Sequence, residues 1–225
     1  IGKKSRKGEE MYIFDIDGTL LYTIDAITYF INETLKKFNL APCPKDKVEA
    51  FVGNGPLYLC EHVLDYVGAG KDPIYRKDFL DTYNKAYDDN PAYLTRAYDG
   101  VKEALDELKK TEKPLVCFSN KPDETCKKVI PQVFGEGYFD DILGYRKDYE
   151  RKPSPEGIMI LKEKFGADFS DIVYFGDSEV DMKCGKNAGI FTVGVSWGFR
   201  DRAVLEEEKP DLIIDDPAEM VIRRA

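Results

Sequence analysis

The sequence predicts an α/β protein, a doubly wound parallel sheet that carries an inserted all-helical domain. Short apolar runs recur along the second half of the chain with helical patterns between them, as in parallel strands joined by crossover helices. The stretch from Leu21 to about Arg96 breaks that rhythm and holds helical faces only. Two Asp-bearing runs, Phe14-Asp15-Ile16-Asp17-Gly18-Thr19-Leu20 and Gly176-Asp177-Ser178-Glu179-Val180-Asp181, each follow an apolar run. Open α/β sheets bind ligands beyond such strand ends.

In chain order, residues 1–10 are polar, with Lys3, Lys4, Arg6 and Lys7, and read as a flexible leader or tag outside the fold. Strand character begins at Met11 and runs to Phe14. Ile27, Phe30 or Ile31, Leu35 and Phe38 then make one helical face, Cys60, Val63, Leu64 and Val67 a second, and Phe79, Tyr83 and Tyr87 a third. Roughly 75 residues without a strand are too many for an ordinary connection. Pro91 and the Tyr98-Asp99-Gly100 turn mark the return. The expected division is a core of 11–21 with 97–225 and a helical insertion of 22–96. The core continues with strands at Leu115–Phe118, Ile142–Leu143, Ile172–Phe175, Phe191–Val195 and Leu212–Ile214. Helical faces at Val101, Ala104, Leu105 and Leu108, and at Ile158, Leu161 and Phe165, lie between them.

Composition narrows the function. The 225 residues carry 42 acidic and 33 basic side chains, a net charge of −9. That balance argues against nucleic acid and anionic membrane surfaces as partners, and no apolar run approaches the ~20 residues that span a bilayer. It leaves room for a small anionic metabolite at a locally basic cleft. Five cysteines, odd in number and widely spaced, read as reduced thiols of a cytoplasmic protein. Monomer and dimer both stay open.

In extended chain, residues two apart share a side, so Asp15 and Asp17 project together. Brought beside Asp177 and Asp181 they make an oxygen-rich site of the kind Mg²⁺ prefers, with a carboxylate nucleophile next to a proton donor. Ser119-Asn120-Lys121-Pro122 follows another strand, and Arg151-Lys152-Pro153 precedes the Ile158 helix. Each piece has a plainer reading by itself: Asp177 or Asp181 as a helix cap, Ser119-Asn120 as a turn, Lys152 as a solvated lysine. His62 and the tyrosines of the insertion read as packing residues.

Taken in order, DxDGT at 15–19, Ser119, Lys152 and GDxxxD at 176–181 resemble the four motifs of the haloacid dehalogenase superfamily, over essentially Met11 to Ala225. The resemblance implies a Rossmann-like core with a helical cap inserted after the first motif. It implies that Asp15 attacks phosphorus, already ionised at pH 7, and that Asp17 serves as general acid and then base. Thr19, Ser119, Asn120 and Lys152 would bind phosphate, with backbone amides of the first motif. Mg²⁺ would be held by the Asp15 side chain, the Asp17 carbonyl, Asp177 and Asp181, the last directly or through water. Asp17 favours phosphate hydrolysis over dehalogenation, because an alkoxide leaving group needs a proton and a halide does not.

Val52-Gly53-Asn54-Gly55, Ser119-Asn120-Lys121-Pro122 and Lys152-Pro153-Ser154-Pro155 are similar to segments of phosphoglycolate phosphatases. That makes Gly53, Asn54 and Gly55 candidate specificity residues, or else a plain helix–helix loop. Tyr22-Thr23, at the expected hinge into the cap, departs from the Asp-Ser common in the family. The expected activity is Mg²⁺-dependent hydrolysis of a small phosphomonoester, with 2-phosphoglycolate the leading substrate. A sugar-phosphate mutase, a phosphatase of another small ester and a non-catalytic phosphate-binding module are the alternatives.

Overall fold

A computed structural model of the chain describes residues 10–221. The leader expected over 1–10 lies outside them except for Glu10, which is tied down: its carboxylate accepts from Tyr12 Oη at 3.0 Å and pairs with Lys113. The chain begins with β1 (Met11–Phe14) and β2 (Leu21–Tyr22). It then runs through α1 (Ile24–Lys37), α2 (Lys45–Phe51), α3 (Pro56–Tyr66) and α4 (Pro73–Asp89), and returns at β3 (Arg96–Ala97). From there helices and strands alternate: α5 (Val101–Lys109), β4 (Leu115–Pro122), α6 (Asp123–Phe134), β5 (Asp141–Tyr145) and α7 (Glu156–Phe165). The sequence closes with β6 (Ile172–Gly176), α8 (Glu179–Ala188), β7 (Phe191–Val195), α9 (Arg202–Glu208) and β8 (Leu212–Ile214).

Two compact units emerge, one of residues up to Tyr22 and from Ala97 onward, the other Thr23–Arg96. In the first, six strands pair in parallel in the order β5-β4-β1-β6-β7-β8. The central strands are apolar and buried on both faces, as a sheet covered by helices on each side requires. Met11, Ile13, Val116, Phe118, Ile172 and Tyr174 point to one face, where Ile158 and Leu161 of α7 and Cys184 of α8 fill the core with them. Because β4 and β6 flank β1, the winding reverses there. A doubly wound sheet opens its crevice at such a reversal, beyond the carboxyl ends of the strands.

The second unit packs its helices through aromatic contacts. Phe30 of α1 meets Tyr87 of α4 at 5.2 Å between ring centroids, and Phe38 meets Phe79 at 5.2 Å. Three features differ from the sequence expectation. The helix α2 is additional, and β2 with β3 forms a two-stranded ribbon where no strand was expected. β4 also runs on through Ser119, Asn120 and Lys121 to Pro122 rather than ending at Phe118, with a register irregularity against β5 between Phe118 and Pro122. Such a bulge re-aims the side chains it carries.

Candidate active site

Asp15 and Asp17 lie on the turn that leaves β1, and the Asp15 N–H donates to Phe175 O at 2.9 Å. That bond fixes the turn against the end of β6. Gly18 has φ +90°, and a Cβ there would stand 2.2 Å from Asp177 Oδ2. Only glycine combines that backbone with that approach. Asp177 is hemmed from the other side by Gly198, whose added Cβ would meet the Asp177 Cβ at 2.2 Å. Its oxygens are aimed by two donors, Thr19 Oγ1 to Oδ1 at 3.2 Å and the Phe199 N–H to Oδ2 at 2.8 Å. Trp197 Nε1 donates to Thr19 O at 3.0 Å and closes this set of bonds.

Asp181 sits in the first turn of α8, where Ser178 and Asp181 cap each other reciprocally. The plain capping reading is therefore true of Asp181, yet its carboxylate does more. Oδ1 accepts from Lys152 Nζ at 2.6 Å and from Tyr174 Oη at 2.6 Å, and Oδ2 accepts from Ser178 Oγ at 2.6 Å. Lys152, 3 % exposed, stands 2.8 Å from Asp15 Oδ1 as well. Asn120 spends its amide on the Lys152 backbone, accepting from the N–H at 2.9 Å and donating to the carbonyl at 3.1 Å. Beside it on the β4 bulge, Lys121 Nζ lies 3.1 and 3.0 Å from the two oxygens of Asp17. Ser119 Oγ accepts from the Lys121 N–H at 3.3 Å, and the hydroxyl keeps its own proton to donate.

Burial sets the electrostatics. It raises the Asp15 carboxyl to about 7 against the pull of Lys152, with Asp181 and Asp17 adding to the rise. Burial, then Asp181 and Asp15, push Asp177 well above the usual carboxylate range. Burial works against the charge of Lys152, but Asp15 and Asp181 outweigh it and hold the ammonium above its ordinary value. Burial likewise works against the charge of Asp181, and Lys152, Ser178 and Tyr174 overcome it and keep that carboxyl low. Four carboxylates thus face two lysine ammonium groups. Asp15 Oδ1 has an ion pair but no aligned hydrogen bond. Oxygens of Asp15, Asp177 and Asp181, all buried, lie within 4.8 Å of one another. An all-oxygen donor set with surplus negative charge fits a hard divalent cation such as Mg²⁺.

Several expectations change. Burial lifts the Asp15 carboxyl above the ordinary range on which its ionisation at pH 7 was expected. The fully buried Thr19 hydroxyl donates to Asp177, and the Asn120 amide braces the Lys152 backbone, supporting roles that the sequence did not suggest. Lys121, given no role from sequence, stands against Asp17; its partner is 104 residues away, so no local pattern reveals it. Gly53, Asn54 and Gly55 form the turn between α2 and α3 in the helical unit, with Gly53 at φ +120°. His62 packs as expected, its ring stacked on Tyr58 at 3.7 Å.

The family model for haloacid dehalogenase-like hydrolases matches residues 12–195. A phosphoglycolate phosphatase of Aquifex aeolicus is 32% identical over 209 residues, covering 93% of each chain. One from Neisseria meningitidis is 32% identical over 206 residues, 89% of this chain and 87% of that one. The solved structure of a predicted phosphoglycolate phosphatase from Haemophilus somnus superposes with a TM-score of 0.89 at 28% identity, covering 95% and 96%. With the parallel core and its clustered carboxylates, these likenesses establish that the chain belongs to the haloacid dehalogenase-like hydrolase family.

Proposed function

We propose that this hydrolase is a Mg²⁺-dependent phosphomonoesterase that works through an aspartyl-phosphate on Asp15, with 2-phosphoglycolate as its substrate. The observation that carries the reading is the buried Asp15–Asp177–Asp181 cluster with Asp17 two residues beyond the nucleophile. Asp15, Asp177 and Asp181 would hold the cation, with the Asp17 carbonyl. When bound, it supplies charge neutralisation for the carboxylate and the incoming phosphate.

The residues divide the work. An Asp15 oxygen forms the bond to phosphorus as the ester P–O bond breaks. Asp17 gives its proton to the departing alkoxide, so the alcohol leaves neutral at that oxygen. Asp17 then takes a proton from the water that attacks phosphorus, which releases inorganic phosphate and restores the Asp15 carboxylate. Ser119 donates to a non-bridging oxygen, and Lys152 offsets the charge that gathers between Asp15 and phosphate. Asp181, Tyr174 and Asn120 hold Lys152 in place for that task. The helical unit is the cap of this reading, and its Gly53–Asn54–Gly55 turn sets substrate preference. The names of the similar curated proteins support the choice of phosphoglycolate. The free thiols of all five cysteines fit a reducing, cytoplasmic setting.

The test is phosphate release with Mg²⁺ from 2-phosphoglycolate, hexose phosphates, nucleotides and pyrophosphate, with D15N as the blank. A clear preference for 2-phosphoglycolate is expected. Release from none of them by the wild type contradicts the reading, and interconversion of hexose phosphates without release points to the mutase.

A further inference from the structure

We infer that Lys121 reads a carboxylate on the leaving group of the substrate, and that it rather than Lys152 selects for acid-bearing phosphomonoesters. The inference rests on the phosphatase reading above. Two buried ammonium groups lie at the carboxyl end of this sheet, and they are differently employed. Lys152 Nζ has four oxygens within 3.4 Å: Asp15, Asp181, Tyr174 Oη and Phe118 O. An ammonium has three N–H donors, so Lys152 is fully committed to the nucleophile and its supports. Lys121 instead stands on the leaving-group side. Its Nζ straddles both oxygens of Asp17, the group that hands a proton to the departing alkoxide. The alkoxide departs past Asp17, and the Lys121 ammonium is the cation paired with that acid.

The ligand chemistry is set by what Lys121 already holds, a carboxylate met at 3.0 and 3.1 Å by its two oxygens. A carboxylate one carbon from the ester oxygen presents the same two atoms. The lysine side chain is 7 % exposed, so a charge placed against it is shielded from water and its attraction is strengthened. A compact ammonium with rotatable donors can serve Asp17 and a substrate carboxylate together. The Lys121 backbone is held on the β4 bulge through the Ser119 hydroxyl, beside Asn120.

The experiment compares kcat/KM for 2-phosphoglycolate with that for 2-hydroxyethyl phosphate, which replaces the carboxylate by a neutral alcohol of similar size. Wild type, K121M and K121R are assayed with Mg²⁺, and thermal melts check that each variant is folded. Loss of contact with Asp17 slows both esters, so the informative quantity is the ratio. In K121M that ratio falls about 100-fold, mostly through KM for phosphoglycolate, and K121R recovers part of it. An unchanged ratio with both rates lowered overturns the inference and leaves Lys121 as a support for Asp17 alone. A wild type that hydrolyses both esters equally also overturns it but leaves the phosphatase reading intact. A wild type inert on both, and on p-nitrophenyl phosphate, overturns the phosphatase reading and this inference with it.

Discussion

At the scale of single residues, the site is an excess of buried negative charge held in register by small neighbours. Asp177 is the clearest case, fixed by Thr19 and the Phe199 N–H and walled by Gly18 and Gly198. G198A is therefore expected to displace Asp177 and weaken Mg²⁺ binding about 10–100-fold, the range for groups that orient a metal ligand. Trp197 is the only tryptophan and donates to Thr19 O, so its fluorescence reports the titration. The same titration tests pH dependence. Protons and a cation would compete for Asp15, whose carboxyl is raised to about 7, so Mg²⁺ affinity is expected to increase as pH rises from 6 to 8. Equal affinity at both ends would contradict the burial argument. The sign for stability is opposite. Without a cation the fold binds more protons at Asp15 than the unfolded chain, so its stability declines as pH rises from the ordinary carboxyl value of 3.8 through about 7. Melting temperature of the chelated protein is expected to drop across that window, with Mg²⁺ restoring it. Asp15, Asp17, Ser119, Lys152, Asp177 and Asp181 were legible as candidates because each belongs to a short recognisable run that follows a strand or precedes a helix, and the four runs together match one family's motifs. Lys121 was not, nor were the supporting roles of Thr19 and Asn120, because those depend on partners set by the fold.

At the scale of elements, legibility followed the strength of the apolar pattern. Continuous buried runs such as β1 and β6 announce themselves, as do the stripes of α1 and α4. The helix α2 buries Val48 alone, too little to print a period on the sequence. Strands of two residues such as β2 and β3 have no period at all. The departure at Tyr22-Thr23 falls on this ribbon and the start of α1. Tyr22 packs edge-on against Tyr98 at 5.7 Å. Thr23 is fully buried at the N-cap of α1, yet its hydroxyl caps nothing and has no hydrogen-bond partner. Removing an unsatisfied buried hydroxyl while keeping the shape relieves a desolvation cost. T23V is expected to raise stability by roughly 0.5–1.5 kcal/mol, measured by denaturant midpoint at constant slope. A loss of more than that would mean the hydroxyl is satisfied in solution. At the other end of the site, S178A removes the reciprocal cap of α8 and a donor to Asp181, and a loss of about 1 kcal/mol is expected.

At the scale of the whole molecule, the winding of the sheet does the assembling. Reversal around β1 gathers the ends of β1, β4 and β6, so residues from four distant stretches of sequence share one rim. No helix among the described residues is long and apolar enough to cross a membrane. A chain of net charge −9 directs the search for substrates toward small anions met by local lysines rather than toward polyanions. The central claim is that phosphate passes through Asp15. The most direct measurement is acid quenching of the enzyme during turnover of 2-phosphoglycolate with Mg²⁺, followed by mass spectrometry of the intact chain and its peptides. One phosphoryl group on the peptide containing Asp15, absent from D15N, which also fails to turn over, is the predicted result. Steady phosphate release by D15N, or a phosphoryl group found on another residue, would contradict it.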